Sequence, residues 1–155
     1  MIQYAKINPV GVDKWIDRFQ TLQQRELPAL FGVSEATCLF YGRSELNDDK
    51  QVVFISGIDY VPIDFSTDYS FISYFVFEPA FRADGLIQIA DASLYCHGDL
   101  SKLFPTITHR SDEELRQAMR TFILMFIEPQ EMGNIEFLER LQPFHSFKIN
   151  FEIRW

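Results

Sequence analysis

The last eleven residues of the chain, HSFKINFEIRW (145–155), alternate between apolar and polar side chains from Phe147 onward. Phe147, Ile149 and Phe151 fall on one side of an extended backbone, and Lys148 falls on the other. A period of two over this length predicts a β-strand with one buried and one solvated face. The polar side of this strand is a candidate exposed surface.

Two helices are predicted directly upstream of this strand. Ser111 and Glu114 match a capping box, and the apolar residues that follow recur at helical spacing up to Phe126. This helix is expected to end before Pro129. A further helix is predicted over residues 133–143, where apolar side chains again recur between a Gly-Asn pair and a proline.

The first two thirds of the chain contain one predicted helix and several predicted strands. The helix begins at Asp13 and is expected to end before Pro28, because proline disfavours helical geometry in the residue that precedes it. The strands are predicted at residues 1–8, 36–42, 51–57, 69–77 and 86–96. The run at 69–77 is apolar or small on both sides, which is typical of a strand in the middle of a sheet.

The order β-α-β-β-β-β-α-α-β shows no regular alternation of strands and helices, so it favours an α+β fold over a parallel doubly wound one. We expect a largely antiparallel sheet of about five or six strands, with two or three helices packed on one face. No linker or repeat interrupts the sequence, and residues 1–155 are therefore predicted to form a single domain.

The composition excludes several classes of function. The 155 residues have a net charge of −8, and 14 Lys and Arg residues form no basic run, which argues against binding to nucleic acid or to an anionic membrane. Residues 1–15 show no secretory leader pattern, and the longest apolar run is too short to span a bilayer. These features predict a cytoplasmic protein.

No motif in the chain indicates catalysis or a cofactor. The glycine-rich phosphate motifs and the G-x-S-x-G elbow are absent. The residues that come closest to a zinc-site pattern are Cys96, His97, Asp99 and His109. The segment Cys96-His97-Gly98-Asp99 is also the best candidate for a thiol nucleophile. Adjacent strand residues point to opposite faces, so Cys96 and His97 are not expected to bind one metal ion. A thiol nucleophile is also disfavoured, because its base must come from another element and no motif surrounds the other histidines. Cys96 and Cys38 are expected to be buried. We therefore predict no catalytic residue, no metal and no cofactor.

Acidic residues concentrate in the middle of the chain, where residues 51–101 hold seven carboxylates and the single base Arg82. Aromatic residues interleave with the carboxylates most densely in DYVPIDFSTDY (59–69), a combination suited to a protein-binding loop. A solvated loop that only maintains solubility is an equal alternative. The predicted partner-binding residues are Asp59, Tyr60, Asp64, Asp68, Tyr69, Glu78 and Asp84.

Two functional hypotheses from different classes follow from these patterns. The first is a non-catalytic acidic inhibitor, of the immunity-protein type, that covers the basic active site of a partner protein such as a bacterial nuclease toxin. The second is a small α+β enzyme or a small-molecule-binding domain with a carboxylate-lined pocket. A homo-oligomer and a structural subunit of a larger assembly are also left open.

Overall fold

A computed structural model of the chain describes residues 2–3, 8–55, 58–78, 81–106, 110–141 and 143–155. The helices are α1 (Val12–Phe31), α2 (Leu100–Leu103) and α3 (Ser111–Leu124), with 3-10 turns at Glu35–Thr37 and Pro129–Glu131. The strands are β1 (Ile2–Gln3), β2 (Cys38–Asn47), β3 (Lys50–Ile55), β4 (Ile58–Pro62), β5 (Phe71–Phe77), β6 (Arg82–Asp84), β7 (Ile87–Asp99), β8 (Met132–Leu141) and β9 (Phe144–Arg154).

The strands form one open sheet in the order β4-β3-β2-β5-β7-β9-β8, with β1 beside β2 and β6 beside β7. The neighbours are antiparallel, except that β2 runs parallel to both β1 and β5. The predicted α+β class with a mostly antiparallel sheet and helices on one face is thus confirmed. Strand β5 lies in the middle of the sheet, as its two-sided apolar sequence predicts.

The helices cover one face of the sheet, which we call the helix face. Phe19 of α1 is fully buried there and stacks on Trp15, with ring centroids 5.3 Å apart, and it meets Phe75 of β5 at 5.4 Å. The buried residues of α3 join the same cluster through Leu115, Met119, Phe122 and Ile123. The apolar side of β9 lies beneath the helices in this cluster, as its alternation predicts.

Two buried glutamines fix α1 on the sheet. The Gln20 amide nitrogen donates to the carbonyl oxygen of Phe40 in β2 at 2.9 Å and to that of Gln3 in β1 at 3.2 Å. The amide nitrogen of Gln23 donates to Ser73 Oγ of β5 at 3.0 Å. Buried polar groups need such partners, so these bonds set the position of the helix along the sheet.

The opposite face of the sheet, which we call the open face, carries a second and smaller apolar cluster. Leu39 and Tyr41 of β2 and Ile72 and Tyr74 of β5 are buried in it, together with Ile63 from the segment after β4. That segment therefore crosses the open face of the central strands. The rest of this face carries the polar side of β9.

The predicted helix at 133–143 is wrong, because this segment forms strand β8. The register pairs Ile135 with Ile149 and Phe137 with Phe147 of β9. Without β8, the outer edge of β9 would be left unpaired over the helix-face core, and long-range pairing here overrides a local sequence that suits a helix.

Helix α1 also differs from its predicted bounds, since it continues through Pro28 to Phe31. Proline removes one backbone hydrogen bond, but Leu27 and Phe31 are buried in the core on either side of it. The helix ends at Gly32 in the left-handed conformation, where the Gly32 and Val33 amides donate to Ala29 and Pro28 carbonyls.

The described residues form nine strands, more than the five or six expected. The additional strands are β8 and the two short strands β4 and β6, which lie inside segments interpreted from the sequence as loops. The capping box at Ser111 is not formed, because Ser111 is already helical and Arg110 precedes it in the left-handed conformation. No helix in the described part of the chain has the length and apolar composition of a membrane span.

Candidate functional site

A pocket opens on the open face at the end of the sheet where β5 begins, β7 ends and β9 begins. Its volume is about 370 Å³. We call it the aromatic pocket, and it is lined by Phe65, Ser66, Tyr69, Ile72, His97, Gly98, Asp99, Phe144 and Ser146. Three of these residues lie in the segment 63–70 that crosses the open face, which we call the acidic loop.

The acidic loop is held in place by hydrogen bonds along its length. The Asp64 amide donates to the Tyr41 hydroxyl at 3.2 Å, and Asp64 Oδ1 accepts from the Ser66 amide at 2.9 Å. At its end, the Ser70 amide donates to the Thr37 carbonyl at 2.7 Å. These bonds fix Phe65 beside the pocket while its side chain stays 51% exposed.

His97 and Ser146 form the polar wall of the pocket. They are directly opposite each other in the β7–β9 register, and Nδ1 of His97 is 2.6 Å from Ser146 Oγ. The ring stacks on Tyr74 at 5.7 Å and meets the Phe65 ring edge-on at 4.9 Å. Its Nε2 is buried and has no hydrogen-bond partner in the described part of the chain.

The environment of His97 keeps its ring neutral. Burial lowers the pKa of the His97 imidazole from 6.5 to about 4. At neutral pH the ring is therefore uncharged, and whichever tautomer it adopts, one nitrogen donates and the other accepts. An imidazole with this low pKa is a weak base, so the pair with Ser146 is poorly suited to activate a serine nucleophile.

Asp99 supplies the carboxylate at the inner side of the pocket. Its Oδ1 accepts from the amide of Ser101 at 3.0 Å and from its hydroxyl at 2.6 Å, which caps α2. Oδ2 lies 3.9 Å from Nζ of Lys102, whose ammonium donates to the Thr67 carbonyl of the acidic loop at 2.5 Å. Asp99 and Lys102 thus connect α2 to the loop.

The structure brings three of the predicted partner-binding residues together. Asp64 and Asp68 are exposed in the acidic loop, and Tyr69 is half-buried between the second apolar cluster and the pocket. Tyr60 is exposed on β4, at the edge of the sheet. Asp59 is its neighbour in the same strand, but its side chain lies outside the described part of the structure.

Glu78 and Asp84 lie elsewhere. Glu78 follows the last residue of β5 and Asp84 ends β6, so both are exposed beyond the end of β5 that lies opposite the acidic loop. The seven predicted residues therefore fall on the loop, on an edge strand and beyond the far end of β5.

A second depression, of about 770 Å³, lies on the open face near Glu78. Five of its charged side chains pair with each other: Arg82 contacts Asp91 at 2.6 Å and Glu152 at 2.9 Å, and Lys148 contacts Glu136 at 3.1 Å. The guanidinium that hydrogen-bonds Asp91 keeps the pKa of that carboxyl below its usual range, and Lys148 does the same for Glu136. Carboxylates that stay ionised in this way are poor general acids.

The segment around Cys96 does not form a metal cluster with the residues that the structure describes. Cys96 is fully buried on the helix face, while His97 faces the aromatic pocket. Among the described side chains, no three His, Cys, Asp or Glu residues are close enough to hold a metal ion. His109 lies outside the described residues. Cys38 is also fully buried, as predicted.

Sequence reasoning missed Phe65, Phe144 and Ser146 as site residues, and set His97 and Asp99 aside with the metal and nucleophile readings. The alternation of the last strand places Ser146 on its polar side, and this pattern could have identified Ser146 as a candidate site residue. However, the pairing of Ser146 with His97 depends on which strand lies beside β9, and one sequence does not reveal that order.

Comparison of the chain with models of known protein families and with curated proteins finds no match. The function proposed below is therefore based on the geometry of the acidic loop and the aromatic pocket.

Proposed function

We propose that the chain is a non-catalytic protein-binding domain of the inhibitor or immunity type, and that the acidic loop and the aromatic pocket are its partner-binding surface. One observation carries the proposal: Phe65 is 51% exposed between two exposed carboxylates, on the rim of a cavity of about 370 Å³. Exposed aromatic side chains beside a pocket are typical of the residues that dominate binding energy in protein interfaces.

The charge of this surface indicates the chemistry of the partner. Among the described residues of the loop, the pocket and α2, three carboxylates (Asp64, Asp68 and Asp99) stand against the single ammonium of Lys102. The whole chain, these residues included, has a net charge of −8. A basic protein is therefore attracted to this surface, and the active site of a nuclease, which must bind phosphates, is such a target.

The low basicity of His97 supports a binding role over a catalytic one. Its pKa of about 4 disfavours proton abstraction from Ser146. In the second depression, Asp91 is paired with Arg82 and Glu136 with Lys148, so these two carboxylates are poor general acids. The proposal includes a cytoplasmic location, because an inhibitor must meet a nuclease where its nucleic-acid substrates are.

The test is to recover the partner by co-purification from the native cell and to measure association with the purified partner at several salt concentrations. The double variant Asp64→Asn, Asp68→Asn is expected to associate about tenfold more slowly at low salt, because two charges that attract the partner are removed. Asparagine retains the oxygen with which Asp64 accepts from the Ser66 amide. If the partner is a nuclease, the variant should also inhibit it less.

The matched control is Glu114→Gln, Glu128→Gln, which removes the same charge from two exposed residues in and beyond α3. At physiological salt, where screening extends over only about 8 Å, its association rate is expected to stay close to that of the unmodified chain. Recovery of no protein partner, or a partner that binds the loop variant as fast as the unmodified chain, would refute the proposal.

A second candidate function is the binding of a small molecule in the aromatic pocket. The pocket volume lies within the range of about 300 to 1,000 Å³ that is usual for such sites, and its apolar walls carry the polar groups of His97, Ser146 and Asp99. A ligand held inside the pocket does not depend on Asp64 and Asp68 at the rim. The loop variant therefore separates the two functions.

A further inference from the structure

The aromatic pocket combines exposed ring faces with hydrogen-bond acceptors. Phe65 and Phe144 are both exposed at the pocket, and Tyr69 lies between the pocket and the second apolar cluster. The rings of Phe65 and His97 contact each other edge to face, with their centroids 4.9 Å apart. Flat aromatic walls of this kind favour a flat or an apolar occupant.

The inner side of the pocket offers several hydrogen-bond acceptors. Asp99 uses Oδ1 for the two bonds that cap α2, while the 3.9 Å between Oδ2 and Lys102 is too long for a hydrogen bond. Since a carboxylate has about four acceptor positions, Asp99 retains capacity to accept from a further donor. The hydroxyls of Ser66 and Ser146 add further acceptor oxygens at the lining.

We propose that the aromatic pocket binds an arginine side chain of the partner protein, with the guanidinium between the aromatic walls and its N–H groups directed to Asp99. This inference rests on the proposed function, because it names the chemical group through which the partner is held. A guanidinium has five donors and no acceptor, stacks on aromatic rings and is weakly hydrated, so it matches both the walls and the acceptors.

A lysine side chain fits the same pocket less well. Its ammonium is compact and strongly hydrated, and it presents no flat face to Phe65 or Phe144. Lys102 already places an ammonium 3.9 Å from Asp99. A second compact charge next to it would be repelled more strongly than a delocalised one. The pocket is therefore expected to discriminate between the two basic side chains.

The experiment titrates the ¹⁵N-labelled full chain with Nα-acetyl-arginine methylamide and follows its backbone amide shifts by NMR. The amides of Phe65, His97 and Ser146 are expected to shift and to saturate at about millimolar probe, the range for a ligand of this size without the rest of the interface. The citrulline analogue, which has nearly the same shape but no charge, and the lysine analogue should each cause less than a third of these shifts at equal concentration.

Two variants locate the site. Phe65→Ala removes a half-exposed wall and should abolish saturation, while Phe81→Ala removes a phenylalanine of similar exposure (42%) and should leave the titration unchanged. Circular dichroism checks that both variants are folded. Equal shifts with arginine and citrulline, or shifts that survive Phe65→Ala, would overturn the inference, and the first of these would point to a neutral ligand.

The outcomes of the titration and of the partner measurements can be distinguished from each other. If arginine does not bind but the partner still requires Asp64 and Asp68, the arginine inference is wrong and the binding surface stands. If arginine binds and no protein partner is recovered, the pocket is a receptor for free guanidinium compounds and the proposed function is wrong.

Discussion

At the scale of single residues, His97 titrates in a different pH range from an isolated imidazole. Its ring lies between Tyr74 and Phe65, and burial, which penalises the charged imidazolium, lowers its pKa to about 4. In the unfolded chain the same group titrates near 6.5. Between these two pH values the unfolded state binds more protons than the folded state, so the two states respond differently to pH.

The stability of the protein is therefore expected to depend on pH through His97. The contribution of His97 to the free energy of unfolding is fully present above pH 6.5. It is lost as the pH falls from 6.5 to about 4, because the unfolded chain binds a proton at His97 more readily than the folded chain does. The loss amounts to at most about 3 kcal/mol. Urea unfolding at pH 7, 6, 5 and 4 measures it.

The variant His97→Gln separates this effect from the titration of the carboxylates. It should be less stable than the unmodified chain at pH 7, and the difference should shrink as the pH falls toward 4, since glutamine does not titrate. Parallel stability curves for the two proteins over this range would contradict the low pKa of His97.

At the scale of elements, Gly98 sets how closely the helices approach β7. A methyl group at this position would lie 2.6 Å from Cδ2 of Leu115 in α3 and 2.9 Å from Cδ1 of Leu103 in α2. Both leucines are buried, so their side chains have little room to move. The absence of a side chain at Gly98 therefore allows α2 and α3 to pack directly on the strand that carries His97.

Gly98→Ala is accordingly expected to lower the free energy of unfolding by about 1 to 3 kcal/mol through overpacking. The double variant Gly98→Ala, Leu115→Val should cost less than the sum of its two single changes, because valine lacks the atom nearest to the added methyl group. Urea unfolding of the four proteins completes the cycle. A strictly additive double variant would show that the contact with Leu115 does not set the packing.

The elements also show what one sequence can and cannot predict. The β9 strand is evident from its alternation, and the α3 helix from its apolar spacing, since both patterns are local. The β8 strand cannot be predicted in this way, because its residues suit a helix locally. They form a strand only because they pair along the edge of β9. Likewise, α1 passes Pro28 because Leu27 and Phe31 are buried on both sides of it.

At the scale of the whole molecule, the site is assembled from three distant parts of the chain. The acidic loop precedes β5, His97 and Asp99 end β7, and Phe144 and Ser146 begin β9. The sequence identifies the loop by its aromatic and acidic residues, but the rest of the site depends on the sheet order. Two residues 49 positions apart, His97 and Ser146, meet only because β7 and β9 are neighbours.

The overall geometry also divides the predicted acidic interface. Ser70, the last residue of the acidic loop, precedes the first residue of β5, and Glu78 follows the last one, so the seven residues of the strand separate Ser70 from Glu78 by roughly 20 Å. At physiological salt, charges are screened over about 8 Å. A bound partner group at one end is thus nearly insensitive to carboxylates at the other.

The last prediction uses this separation to locate the interface. Glu78→Gln, Asp84→Asn removes the same charge as the loop variant Asp64→Asn, Asp68→Asn, but beyond the opposite end of β5. With the purified partner at physiological salt, the loop variant is expected to dissociate about tenfold faster, whereas the Glu78 variant should stay within about twofold of the unmodified chain. At low salt both variants should associate more slowly, because screening then extends over about 30 Å. Faster dissociation of the Glu78 variant alone would place the partner on the charged depression of the open face and remove the acidic loop from the interface.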